Sequence, residues 1–272
     1  MTPAPVHDLN GHCAVVTGGA HGIGRALVEA LAEQGARVVV ADVDLTAAQN
    51  LADAVGGLAV RCDVAEESDV TGLVTAATEA FGPVELFCSN AGIADPADGL
   101  WSTPEEFRRI TDVNLLAHVW AARAVLPGMV ARGRGSLLQT LSAAGLITGP
   151  MGPGYTLTKH GALGFAEWVA LNYRNRGIHV TCLCPAGVWT AMSGHPDEVR
   201  NADAPPSEGG APTMADFVEP RLCAEVALRA LAERRFLALP HPTVGDEFHA
   251  RARDYDAWLA SSAVPCDEHP QQ

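Results

Sequence analysis

The stretch His12-Cys13-Ala14-Val15-Val16-Thr17-Gly18-Gly19-Ala20-His21-Gly22-Ile23-Gly24 decides the fold. Its first half is a short apolar run of the kind that forms a buried strand. Its second half is a glycine-rich turn, and residues 25–34 read as a helix that stops at Gly35. Glycines let the backbone turn tightly and approach a ligand, and the N-terminus of the following helix attracts an anion. Strand, glycine turn and helix in that order make a cradle for a pyrophosphate, whereas a bare glycine turn would be only structural.

Outward from this stretch the same alternation repeats. Residues 37–41, 58–62, 84–88, 135–140, 178–184 and 235–239 read as strands. Residues 46–55, 66–81, 155–176 and 221–234 read as helices, the second stopping at Gly82-Pro83. Another helix starts at Thr103 with a capping residue, Pro104 and the acidic Glu105 and Glu106; it is expected to run to Arg132 with an interruption near Pro127. Short strands alternating with longer helices predict an α/β protein: a Rossmann-like, doubly wound parallel sheet of about seven strands with helices on both faces, in a single domain. The expected organisation is an arm over 1–10, a dinucleotide-binding catalytic domain over 11–240 and a C-terminal helix and tail over 241–272. Within the domain, 189–220 is rich in Pro, Gly, Ser and Asp and reads as an excursion over a site. One terminal helix over 245–260 carries Phe248, Tyr255 and Leu259 on a single stripe, expected to cover the pocket or reach a neighbouring subunit; residues 269–272 should fray.

Charge narrows the partners. The 272 residues carry 18 basic and 32 acidic side chains, a formal charge of −14, which argues against broad nucleic-acid binding and makes an anionic carrier protein an uncomfortable partner. Hydrophobic residues are 48% of the chain, enough for a sizeable core. No run of 18 apolar residues and no apolar leader is visible, so no membrane association and a cytoplasmic location are expected. Seven cysteines, an odd count, sit mostly in strand-like runs and read as buried reduced thiols. His118, His160, His241 and His249 lack metal-ligand spacing and are read as structural, and no metal is expected.

Two further features carry chemistry. Asp42 ends the second strand, 18 residues after Gly24. A carboxylate there accepts the ribose hydroxyls of NAD and repels a 2′-phosphate; the alternative, less favoured, is that it merely starts a turn before a helix capped by Asp44 or Thr46. Tyr155 and Lys159 lie four residues apart, on one face of a helix. A phenol titrates near ~10, and an adjacent ammonium is expected to lower it into a useful range for general acid–base catalysis. By itself such a pair is common on solvated helix faces.

Together these residues resemble the short-chain dehydrogenase/reductase family, over roughly residues 8–240. The family's Thr-Gly-x-x-x-Gly-x-Gly is matched by Thr17 to Gly24, its Asp-Val after the third strand by Asp63-Val64, and its Asn-Asn-Ala-Gly, except at the first position, by Ser89-Asn90-Ala91-Gly92. The tetrad of Asn, Ser, Tyr and Lys falls on Asn114, Ser142, Tyr155 and Lys159. The family's Pro-Gly-x-Val-x-Thr reads Pro185-Ala186-Gly187-Val188-Trp189-Thr190, with alanine in the glycine slot and glycine in the next.

The resemblance implies that Gly18, His21, Gly22, Ile23, Gly24, Asp42, Asp63, Val64, Asn90, Ala91, Gly92, Tyr155, Lys159, Pro185, Gly187, Val188 and Thr190 meet the dinucleotide. Asp63 would face the adenine amine and Thr190 the carboxamide. Ser142 would polarise the substrate oxygen, Tyr155 would exchange the proton, Lys159 would hold the nicotinamide ribose, and Asn114 would hold water that relays protons to Lys159. Substrate contacts are expected from Ser142, Leu146, Met151, Tyr155, Trp189 and Met192, with Phe217 beside them. The implied activity is NAD(H)-dependent interconversion of a secondary alcohol and a ketone, on a hydrophobic small molecule, by a homodimer or homotetramer built on the long helices. The alternatives are an NADPH-dependent carbonyl or 3-oxoacyl-carrier-protein reductase and, more remotely, a dinucleotide-binding scaffold or sensor without turnover.

Overall fold

A computed structural model describes residues 9–96, 98–149, 151–194 and 217–263. Seven parallel strands form one sheet in the order β3-β2-β1-β4-β5-β6-β7. They are β1 (Cys13–Thr17), β2 (Arg37–Asp42), β3 (Leu58–Arg61), β4 (Val84–Ser89), β5 (Gly135–Thr140), β6 (Ile178–Leu183) and β7 (Leu237–Ala238). The helices between them are α1 (Gly22–Glu33), α2 (Leu45–Val55), α3 (Glu67–Phe81), α4 (Pro104–Thr111), α5 (Ala117–Arg132), α6 (Pro153–Tyr173) and α7 (Pro220–Ala232), followed by α8 (Pro242–Arg253) and α9 (Tyr255–Ser261). The expected α/β class and doubly wound parallel sheet are what the chain adopts.

The sheet is apolar on both faces because helices cover both. Val15, Phe87 and Leu137 pack into a layer with Ala121 and Val125 of α5 and Val169 of α6. Their neighbours Ala14, Val16, Leu86 and Leu138 point the other way, onto Leu27 and Leu31 of α1 and Leu228 of α7. Strand order reverses between β1 and β4, so the crevice where open α/β sheets bind ligands opens between the turn after β1 and the segment after β4.

Three local expectations are corrected. The helix from Pro104 to Arg132 is broken at a π-helical turn, Asp112–Leu116, while Pro127 lies inside α5 without ending it. A π turn takes an extra residue per turn, and here it buries Val113 and Asn114. By length and composition Pro104–Arg132 would be apolar enough to cross a membrane, but half of its most apolar window is buried within the fold. The C-terminal helix is two helices, because Asp254 is extended and caps α9 by accepting a hydrogen bond from the Ala257 N–H. The break dissolves the expected stripe: Trp258 is buried in the main core, whereas Tyr255 and Leu259 are exposed. Most of the expected excursion over 189–220, the arm before residue 9 and the tail after 263 lie outside the described residues.

Candidate active site

One cavity of about 610 Å³ runs along the carboxyl ends of the strands. Every residue named above for cofactor, substrate or catalysis lines it except Asn114, Leu146 and Trp189. One end is made largely of backbone. Gly18 has φ +59°, and a Cβ there would lie 2.8 Å from the Ala91 Cα. A Cβ on Gly22, φ +49°, would lie 2.9 Å from the Thr190 methyl carbon. Among the described residues no side chain caps the N-terminus of α1, and no acidic residue sits in its first turn, so the N–H groups at that end suit an anion. These features fit a dinucleotide pyrophosphate.

Side chains fix the rest of that end. Thr17 Oγ1 accepts from the Asn90 N–H at 3.0 Å, and Asn90 Nδ2 donates to the carbonyls of Thr17 and Gly18. Asp42 accepts from the Ala20 and Asp44 N–H groups, one at each carboxylate oxygen, both at 3.1 Å. It therefore starts the turn and also presents its carboxylate to the cavity, while Asp44 caps α2. Asp63 is gripped by Arg109 at 3.2 Å. Arg109 lines the cavity too and was not foreseen, because nothing in the sequence marks a residue 46 positions away as its partner.

The catalytic candidates converge at the other end. Tyr155 sits in the first turn of α6, and Lys159 one turn later; both are buried. Lys159 Nζ donates to the Thr140 carbonyl at 3.2 Å and lies 5.4 Å from the centre of the Tyr155 ring. Ser142 Oγ accepts from the Ala144 N–H at 3.1 Å and donates to the Pro185 carbonyl at 3.4 Å. Burial raises the Tyr155 phenol, and the neighbouring Ser142 hydroxyl opposes that rise. Burial pulls Lys159 down to about 8. The expected lowering of the phenol by its neighbouring ammonium is thus not met by the polypeptide alone. The ammonium is directed at a carbonyl and desolvation dominates both groups. Asn114 stands one layer behind, fully buried, with its Oδ1 accepting from the Ile93 N–H at 2.8 Å and its Nδ2 donating to the Ile93 carbonyl at 2.9 Å. Its side chain therefore positions the segment after β4.

Substrate contacts were the least legible. Leu146 faces the core with 1% exposure, and Trp189 packs its ring at a tilt against Phe217, centroids 4.8 Å apart, instead of lining the cavity. Phe217 lines it, together with Ile93, Ile147 and Val244, the last carried by α8. The displaced glycine also has a physical reason. A Cβ on Gly187 would lie 2.9 Å from the Phe217 ring, while Ala186 is held by donating its N–H to His241 Nδ1 at 3.2 Å. His241, read as merely structural, thereby supports the turn beside the site.

The comparisons agree with this geometry. Residues 12–200 match the family described as short chain dehydrogenase. The chain is 39% identical over 189 residues, 68% of its length and 76% of the relative's, to 2,5-dichloro-2,5-cyclohexadiene-1,4-diol dehydrogenase of Sphingobium indicum. It is 35% identical over 192 residues, again 68% and 76% of the two chains, to cyclohexanol dehydrogenase of an Acinetobacter species. A crystal structure of a short chain dehydrogenase/reductase from Burkholderia phymatum in complex with NAD superposes with a TM-score of 0.81, at 29% identity, over 95% of this chain and 98% of that one. With the glycine turn, the Ser142–Tyr155–Lys159 cluster and the seven-stranded sheet in place, the chain belongs to the short-chain dehydrogenase/reductase family of oxidoreductases.

Proposed function

We propose that the protein is an NAD(H)-dependent oxidoreductase that interconverts a hydrophobic secondary alcohol and its ketone. The observation that carries this reading is the convergence of Ser142, Tyr155 and Lys159 on the same cavity as the glycine turn and the Asp42 carboxylate. A bound nicotinamide dinucleotide would supply the hydride acceptor or donor and, when oxidised, a positive charge that would favour the Tyr155 phenolate.

The chain's own groups do the rest. The glycine turn and α1 hold the pyrophosphate. Asp42, fixed by two N–H groups, accepts from the adenosine ribose hydroxyls and disfavours a 2′-phosphate. Lys159 reaches the nicotinamide ribose. Ser142 holds the substrate oxygen, and Tyr155 Oη takes the alcohol proton in oxidation or gives it to the ketone in reduction. The raised phenol is suited to donating a proton; the cations gathered on binding favour its phenolate for the reverse direction. Apolar residues at the substrate end exclude a charged substrate. The reading includes a homodimer or homotetramer, supported by exposed Leu157, Trp168 and Leu171 along one side of α6. It also includes a reducing, cytoplasmic compartment, supported by six buried free cysteines among the described residues.

Turnover of a panel of cyclic secondary alcohols tests the reaction, with NAD and NADP compared. NAD is expected to give kcat/KM higher by at least about tenfold, because Asp42 must otherwise face a phosphate. Tyr155→Phe is expected to bind the dinucleotide normally and lose about 10³-fold in kcat. A preference for NADP would overturn the role of Asp42, and full activity in Tyr155→Phe would overturn the mechanism.

A further inference from the structure

The segment that leaves β4 is tied successively to three different parts of the site. At its start the Asn90 and Ala91 N–H groups donate to Thr17 Oγ1, at the mouth of the glycine turn, at 3.0 and 3.3 Å. Ile93 is then bracketed by the side-chain amide of Asn114 from the π turn. Finally Asp95 Oδ1 accepts from the backbone N–H of Tyr155 at 2.6 Å. Residues 90–95 thus form a strap from the dinucleotide turn to the catalytic phenol.

Asp95 takes the place of a local cap. The N-cap position of α6 is Gly152, which has no side chain to offer, so an N–H in the first turn is satisfied from 60 residues away. The fit is close. A Cβ on Gly152 would fall 1.4 Å from Asp95 Oδ2, and one on Gly154 would fall 2.7 Å from Oδ1. Backbone conformation does not demand glycine at 152: φ −65° and ψ 163° are open to any residue. What demands it is the carboxylate lying against it. Asp95 Oδ2 is buried without a hydrogen-bond partner among the described residues, at the positive end of α6.

We infer that Asp95 is a positioning residue which, through the Tyr155 N–H, sets where the phenol stands relative to the dinucleotide. This rests on the proposed role of Tyr155. Asp95 does not line the cavity, so it acts only through the helix it caps. A displacement of the order of 1 Å at a reacting group reduces turnover about 10²-fold.

The test uses the full-length protein with Asp95→Ala, Asp95→Asn and Gly152→Ala. Asparagine keeps an acceptor oxygen; alanine at 152 expels the carboxylate without straining the backbone. Asp95→Ala and Gly152→Ala are expected to lower kcat by about 10- to 100-fold while the NADH dissociation constant, read by fluorescence, stays within about twofold. Asp95→Asn should stay within about threefold of wild type, and the Asp95→Ala/Gly152→Ala pair should be no worse than Asp95→Ala. Amide hydrogen exchange at Tyr155, followed without substrate, should accelerate by at least about tenfold in the two impaired variants. Unchanged kcat and exchange in both would overturn the inference. So would an Asn variant as impaired as Ala, or NADH binding lost in step with turnover. Should Asp95→Ala not fold, Gly152→Ala decides by the same readings. Wild-type protein that turns over no alcohol defeats the proposed function, while the exchange measurement still judges the Asp95 contact.

Discussion

The two ends of the cavity are made of different materials. The glycine-turn end is largely backbone: glycines at positive φ and the N-terminus of α1, with two carboxylates held by Ala20, Asp44 and Arg109. The substrate end is side chain: Ile93, Ile147, Met151, Met192, Phe217 and Val244, delivered by separate segments. At the first end few residue types satisfy the geometry. At the second, many apolar residues of similar size would, and only their joint shape matters. A universal ligand can be held by the former, and a particular substrate must be selected by the latter.

The strongest blow to that contrast is struck at Gly22. Its φ of +49° disfavours any side chain, and a Cβ would meet Thr190 at 2.9 Å. Gly22→Val combines backbone strain of about 1–3 kcal/mol with crowding of similar size. Dinucleotide affinity, measured by titration calorimetry, should fall by about two to three orders of magnitude, and the thermal midpoint of the ligand-free protein should fall by about 5–20 °C. Wild-type affinity in this variant would mean that the turn is not the cradle.

Lys159 marks the seam between the two ends, and its burial carries an expense in stability. Its folded value of about 8 lies below the ordinary 10.5, so between those values the unfolded chain binds the extra proton. Stability therefore rises with pH through this window, by up to about 3 kcal/mol, and the penalty is full below pH 8. Buried thiols such as Cys184, raised to about 12, act in the opposite sense above pH 9. The difference between wild type and Lys159→Met isolates the lysine. Lys159→Met should be the more stable protein at pH 7 in denaturant titrations, and its advantage should shrink steadily toward pH 10. An advantage independent of pH would show that the lysine is not buried as a cation.

The same division explains what was legible in the sequence. The sheet, Asp42 and the Thr17-to-Gly24 turn were readable because strand periodicity and positive-φ glycines are local demands. Tyr155 and Lys159 were readable as a pair on one helical face, and they became a site together with Ser142 only through the resemblance to the family's tetrad. The π turn at 112–116 was not: an apolar helix pattern continues smoothly through it, and proline at 127 was the more conspicuous irregularity. Leu146 and Trp189 were misplaced because residue type does not reveal which side of a loop faces the cavity. Arg109, His241 and Asp95 were missed because their partners are 46, 55 and 60 residues away.

Val244 offers the gentlest and most selective probe of the substrate end. It is 1% exposed, lines the cavity, and belongs to α8, beyond the residues that match the family. Arg251 of the same helix donates to the Leu146 carbonyl and contacts His160, so α8 is anchored to both the loop after β5 and the catalytic helix. Removing methyl groups here should enlarge the pocket, and a phenyl ring should fill it. One methylene in an apolar pocket is worth about 1–3 kcal/mol of discrimination. The ratio of kcat/KM for a bulky over a small cyclic alcohol should therefore rise in Val244→Ala and fall in Val244→Phe, with about tenfold between the two variants. The KM for NAD should remain within about twofold in both, because the glycine-turn end of the cavity is built without α8. If both variants change NAD affinity and leave the alcohol ratio fixed, the two ends are not separable, and the substrate is selected by residues outside this wall.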